Sequence, residues 1–139
     1  MDQQTQIAIL KQRLNTNPND LEAAIELGNL YYDIQEAAQS IVYYQIALSI
    51  NPNNPAVLTD LGTMYWANGV TSYSEKCFRQ AMQVEPGFGN AYINLGHLLH
   101  QVKGQTNEAR TLWKELVDKY PNSHGIDVAR DLLATVKPG

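Results

Sequence analysis

Two histidines three residues apart, in "GHLLHQ" at 96–101, are the first candidates for chemistry. On a helix, that spacing sets the imidazoles of His97 and His100 side by side, where they could share a metal ion. A site would need two or three further ligands, and Asp60 is the one plausible neighbour. Two polar surface histidines are the simpler reading, and no metal is assigned. Cys77 lies between Lys76 and Phe78, with Arg79 close by. Those cations could make its thiol mildly reactive, although an isolated cysteine is more often a small semi-buried filler. No nucleophile–base motif, phosphate-cradling glycine loop or dinucleotide fingerprint is present. The chain is therefore read as non-catalytic, and no cofactor is expected.

The frame that must carry these residues is a folded one. Of 139 residues, 44% are hydrophobic, too many for a disordered chain. The formal charge of −4 argues against nucleic acid as a partner. Charge is also uneven. Residues 1–60 set seven acids (Asp2, Asp20, Glu22, Glu26, Asp33, Glu36, Asp60) against Lys11 and Arg13, giving −5. The rest of the chain sums to +1, so the first half presents a negative field. The single cysteine excludes an intramolecular disulfide and a cysteine-based zinc site. No apolar run approaches the ~20 residues of a membrane span, so membrane insertion is not expected. "MDQQTQIAILKQ" has neither a basic start nor a long apolar stretch. The compartment stays open, with the cytoplasm favoured and a periplasmic domain the alternative if Met1 is not the natural start.

Internal repetition organises the chain. "ELGNLYYD" (26–33), "DLGTMYWA" (60–67) and "NLGHLLHQ" (94–101) superpose at a spacing of 34. Pro18, Pro52, Pro86 and Pro121 follow at 34, 34 and 35. Each unit reads as two helices. Leu21, Ala24, Leu27, Gly28 and Tyr31 form one helical stripe, and Ile41, Tyr44, Ala47 and Leu48 a second. The plan recurs with Leu58, Leu61, Gly62 and Tyr65, then Phe78, Ala81 and Met82. It recurs again with Tyr92, Leu95, Gly96 and Leu99, then Ala109, Trp113 and Leu116. Asn54-Pro55 suits a helix start, and Ser72 with Glu75 fits a capping box. "QVKGQTNE" carries one extra residue. Glycine inside a helix costs roughly 1 kcal/mol relative to alanine. A glycine repeated at this register implies that two helices approach closely there, with Tyr65 filling the packing and Trp66 pointing elsewhere.

Leu-Gly, Tyr, a small residue, an aromatic, Ala and Pro at these spacings resemble the tetratricopeptide repeat. The pattern runs Leu27-Gly28, Tyr31, Ser40, Tyr44, Ala47, Pro52, and again from Leu61-Gly62 and Leu95-Gly96. It departs at Ala24, Leu58 and Tyr92, where the family often has Trp, and at Ser40, Ser74 and Leu99. The resemblance implies an all-α fold, a right-handed superhelical α-solenoid of three helix pairs. The expected divisions are a leading helix (1–20), repeats at 21–54, 55–88 and 89–123, and a capping helix (124–139). The leading segment, with Ile7, Leu10 and Leu14, reads as the second helix of a further pair.

The resemblance further implies that the first helices line a concave groove that binds a partner peptide. Counting by 34, its rows are Tyr32, Trp66, His100; Asn29, Thr63, His97; Glu26, Asp60, Asn94; and an edge of Asp33, Ala67, Gln101. The expected peptide-binding residues are thus Glu26, Asn29, Tyr32, Asp33, Asp60, Thr63, Trp66, Asn94, His97, His100 and Gln101. The acids favour a partner with an apolar or aromatic residue beside Lys or Arg. Chaperone-binding members clamp a terminal carboxylate at positions equivalent to Ile25, Asn29, Asp60, Asn90 and Asn94. Only Asn29 agrees, so that use is not expected. The leading helix, three repeats and closing helix after "LWKELVDKYP" are also similar to repeat domains of bacterial haem-lyase assembly subunits in cytochrome c maturation. The expected function is a non-catalytic adaptor. The alternatives are a self-associating scaffold, forming homo-oligomers, and an assembly factor in cytochrome c maturation.

Overall fold

A computed structural model describes all 139 residues and holds eight helices. They are α1 (Gln3–Thr16), α2 (Leu21–Asp33), α3 (Ala37–Ile50), α4 (Pro55–Ala67), α5 (Thr71–Val84), α6 (Gly89–Gln101), α7 (Thr106–Lys119) and α8 (Ile126–Thr135). The pairs α2/α3, α4/α5 and α6/α7 stack into a right-handed solenoid, with α1 ahead and α8 behind. Every 34-residue landmark falls at the same place in its pair.

The glycine register explains why the pairs close. A Cβ on Gly28 would stand 2.4 Å from the Tyr44 ring, and one on Gly62 2.6 Å from Phe78. One on Gly96 would stand 2.1 Å from Trp113 Nε1. Each second helix therefore lays an aromatic face on the bare backbone of its first helix. Tyr44, Phe78 and Trp113 are no more than 1% exposed as a result. Small residues complete the seam. Ser40 is fully buried, and its hydroxyl donates to the Gly28 carbonyl at 2.8 Å. The Trp113 indole N–H points at the Ile93 carbonyl at 3.4 Å.

The turns show the same economy. Between the helices of a pair, one residue turns left-handed: Gln35 (φ 62°), Gly69 (φ 80°) and Gly104 (φ 65°). The next residue then donates back to the preceding helix, Glu36 to Tyr31, Val70 to Tyr65 and Gln105 to Leu99. The extra residue of the third unit is absorbed in this turn, which is one longer, so α7 keeps its seam. Between pairs, Asp20 and Asn54 cap α2 and α4, accepting from Ala23 and Val57. At the far end, Arg110 reaches from α7 to the Leu133 and Val136 carbonyls and satisfies the last turn of α8.

Two sequence expectations need correcting. Ser72 and Glu75 form no capping box: α5 starts at Thr71 with Val70 as an N-cap that makes no side-chain bond. Glu75 is drawn instead to Arg79 and Lys103, where two cations outcompete a neutral backbone N–H. Tyr65 does not fill the core. It is half-buried, its hydroxyl accepts from Gln45, and its ring tilts against exposed Tyr73 at 5.3 Å. The equivalent Tyr31 and Leu99 are the ones that sink in.

Two stability measurements check these contacts. Gly96→Ala, despite its better helix propensity, is expected to cost about 1–3 kcal/mol by forcing Trp113 off its seat. Gln35→Gly is expected to add roughly 1 kcal/mol by removing left-handed strain from a residue with a Cβ. Urea unfolding of each variant reads both.

Candidate functional site

The expected residues all lie on one set of helices, the first layer α2, α4 and α6, within which α4 packs directly on α6. Polar contacts stitch that layer. The Asn94 side-chain N–H approaches the Thr63 hydroxyl at 3.5 Å, and Thr63 donates to the Thr59 carbonyl at 3.2 Å. Tyr44 reaches through from the second layer and donates to the Asn29 side-chain oxygen at 2.6 Å.

Asp60 is the electrostatic centre of this face. Burial pushes its pKa up to about 6, and the charge of Asp33 adds to the effect. Its own field acts on two phenols: burial first, then Asp60, raises both Tyr32 and Tyr44, while the Thr63 hydroxyl partly offsets the rise at Tyr32. No basic side chain answers these acids. The ion pairs of the structure engage Asp20, Glu22, Glu75, Glu108, Glu115, Asp118 and Asp127, and leave out Glu26, Asp33 and Asp60. Glu26 is raised too, by burial and then by Glu22 beside it.

The expected residues separate into groups. Glu26, Asn29 and Asp33 line a cleft of 390 Å³ between α1 and α2, joined there by Gln6, Ile9 and Arg13 of α1. Tyr32 and Asp33 line a second recess of 540 Å³ with Met64 and Ala67 at the ends of α2 and α4. Trp66 is half-buried, resting on the core of the third repeat, so only part of its ring is open to a ligand. His97 packs edge-on to Trp113 at 5.8 Å and meets Gln101 at 3.3 Å. His100 meets Thr106 at 2.8 Å.

Sequence reasoning missed the α1 contribution. The signal was available in exposed Ile9, which the helical stripe of α1 leaves outside the core.

The histidines and the cysteine sit in ordinary packing. No three His, Cys, Asp or Glu side chains gather as a metal site requires, and Asp60 stands with the tyrosines rather than with His97. Burial, then His100, lowers the His97 pKa, which keeps the imidazole neutral near pH 7. Cys77 is buried, and that burial pushes its thiol up to about 11. The nearby cations do not activate it.

Two family profiles match the sequence: "TPR repeat" over residues 28–69 and "Tetratricopeptide repeat" over residues 88–123, together more than half of the chain. The chain belongs to the tetratricopeptide repeat family. Its fold is similar to that of a crystal structure of MamA, at TM-score 0.76 and 19% identity, covering 90% of this chain and 75% of that one. The Arabidopsis OM64 TPR domain aligns at TM-score 0.69 and 18% identity, covering 82% and 93%. The structure titled "MamA MSR-1 C2" aligns at TM-score 0.69 and 21% identity, covering 79% and 63%. At such identities these likenesses concern fold alone. No curated protein matches the sequence. Tetratricopeptide repeats are protein–protein interaction modules and typically non-catalytic scaffolds, and this chain is such a module. No helix is long and apolar enough to cross a membrane.

The state of Asp60 sets a pH dependence of stability. Its folded pKa lies above the unfolded value, so the folded protein holds this proton more tightly. The contribution is complete below about pH 4 and is lost as pH rises through about 6. Asp60→Asn is therefore expected to be more stable than wild type at pH 7, by on the order of 2 kcal/mol. The gain should vanish at pH 4, as denaturant titrations at both pH values would show.

Proposed function

We propose that the chain is an adaptor that holds a peptide segment of a partner protein against its α2–α4–α6 face. Asp60 carries this reading: a half-buried carboxylate on the first layer with no basic side chain of its own chain to meet it. A lysine or arginine from the partner supplies the missing charge and favours the ionised carboxylate. Tyr32 stands beside this position, and the open part of Trp66, further along α4, offers flat surface to an apolar or aromatic neighbour of that cation. Asn29, Thr63 and Asn94 offer polar groups to peptide amides, with His97, His100 and Gln101 continuing the row. A carboxylate-terminated peptide is disfavoured, because Glu26, Asp33 and Asp60 would repel it.

A peptide array of apolar-basic sequences, probed with wild type, Trp66→Ala and Asp60→Lys, tests the assignment. Both variants are expected to lose the common set, with Asp60→Lys weakening affinity by at least about tenfold. The affinity of wild type is expected to fall as pH drops from 7 through about 6, as Asp60 takes up its proton, and to be insensitive to pH in Asp60→Asn. Binding that survives both substitutions would move the site off this face. Binding to no peptide, with a size that rises with concentration in light scattering, would favour the self-associating scaffold.

A further inference from the structure

The 390 Å³ cleft between α1 and α2 has a shape that the repeat itself explains. Moved forward by 34 residues, its walls become familiar ones. Gln6, Leu10 and Arg13 of α1 become Ser40, Tyr44 and Ala47 of α3, and Leu30 of α2 becomes Met64 of α4. In the cleft Leu10 is already buried at 5% exposure while Gln6, Arg13 and Leu30 stay half-buried; one repeat on, all four positions are sealed, Ser40, Tyr44 and Ala47 at most 1% exposed and Met64 6%. What seals the α3 positions is α2, whose Gly28 lies under the Tyr44 ring. The cleft is thus a slot for one helix, bordered by the surfaces that elsewhere in the chain enclose a first helix.

The slot differs from its internal counterpart in ways that suit a visitor. Leu10 replaces the aromatic ring and leaves volume at the floor, with Ile9 exposed at the edge. Gln6 and Arg13 replace the small residues of the seam, so a docked helix rides higher than α2 does on α3 and makes fewer close contacts. Arg13 is already committed. Its Nε and Nη2 donate to the two carboxylate oxygens of Asp20, both at 3.1 Å. Arg13 also reaches Glu22 and attracts Glu26 at longer range, but neither Glu26 nor Asp33 at the rim has an ion pair of its own.

We propose that the α1–α2 cleft docks an amphipathic helix of a partner protein, apolar stripe toward Ile9, Leu10 and Leu30 and lysine or arginine flank toward Glu26 and Asp33. A second copy fits less well, because its exposed α8 would bring Asp127 and Asp131 toward the same acids. The inference rests on reading the chain as a protein-interaction module; the cleft shares Glu26, Asn29 and Asp33 with the proposed face but includes neither Asp60 nor Trp66.

The probe is a fluorescent, hydrocarbon-stapled peptide patterned on residues 21–33, the helix that fills the equivalent slot one repeat on, with lysine at the positions of Glu22, Glu26 and Asp33. Stapling is needed because so short a helix is marginal in water. Anisotropy with the full chain is expected to show saturable binding. The same peptide with its acids restored is expected to bind at least about tenfold more weakly, and Ile9→Asp and the double variant Glu26→Lys/Asp33→Lys to lose at least about tenfold. Ile9 is exposed, so Ile9→Asp should keep the wild-type melting temperature, which separates a lost site from a lost fold. Absence of saturable binding, or binding indifferent to Ile9→Asp, would overturn the proposal. Binding lost in Trp66→Ala but kept in Ile9→Asp would also overturn it, placing the probe on the α2–α4–α6 face. Concentration-dependent dimers abolished by Ile9→Asp would put a second copy in the cleft instead. Failure of the peptide array with success here would sink the proposed face and leave the cleft standing.

Discussion

An aromatic ring laid on a helical glycine is the contact from which the rest of the molecule follows. Tyr44 on Gly28, Phe78 on Gly62 and Trp113 on Gly96 set the spacing within each pair. Because that contact recurs at a fixed interval, it also sets the stacking between pairs. The helix interior gives up about 1 kcal/mol at each glycine, and ring burial returns more than that, since an aromatic side chain buries a large apolar area. The polar residues of the glycine-bearing helices, Asn29, Asp60, Thr63, Asn94 and His97, are held on rigid helices rather than on loops. A recognition surface on such a support loses little entropy when it binds.

The same architecture isolates charge. Cations in the first half number two, Lys11 and Arg13, and both have local engagements: Lys11 over the Tyr31 ring and Arg13 on Asp20. The second half spends most of its cations on its own acids, as in the Glu75–Arg79–Glu108 and Lys103 cluster. Glu26, Asp33 and Asp60 are left without an ion pair. Burial raises the proton affinity of Glu26 and Asp60, with Glu22 adding to it at Glu26 against a smaller pull from Arg13, and Asp33 adding to it at Asp60. A protein pays for such groups in stability, and binding is the event that can return it.

The repeat made the fold legible. Period, proline turns and the Leu-Gly register were enough to place eight helices and to pair them, because each of these features is local and recurs. What depended on competition between neighbours was harder to read. Glu75 looked like a capping residue until Arg79 and Lys103 came within reach across the turn. Tyr65 looked equivalent to Tyr31, yet Gln45 and Tyr73 hold it at the surface where Tyr31 stacks with Tyr43 below Lys11. The rows of the α2–α4–α6 face could be written down by counting, but the burial that tunes Asp60 could not. Nor could the cleft under α1, which exists only once two helices have packed.

The central claim is that this chain recognises a cation-bearing partner on the α2–α4–α6 face, and backbone NMR tests it most directly. Uniformly labelled protein would be titrated with a peptide of apolar and lysine residues at pH 7. The account predicts shift changes that centre on Tyr32, Asp60, Thr63 and Trp66 and extend along the first layer. Changes confined to the recess lined by Tyr65, Tyr73 and Lys76, with the Asp60 amide unmoved, would contradict it.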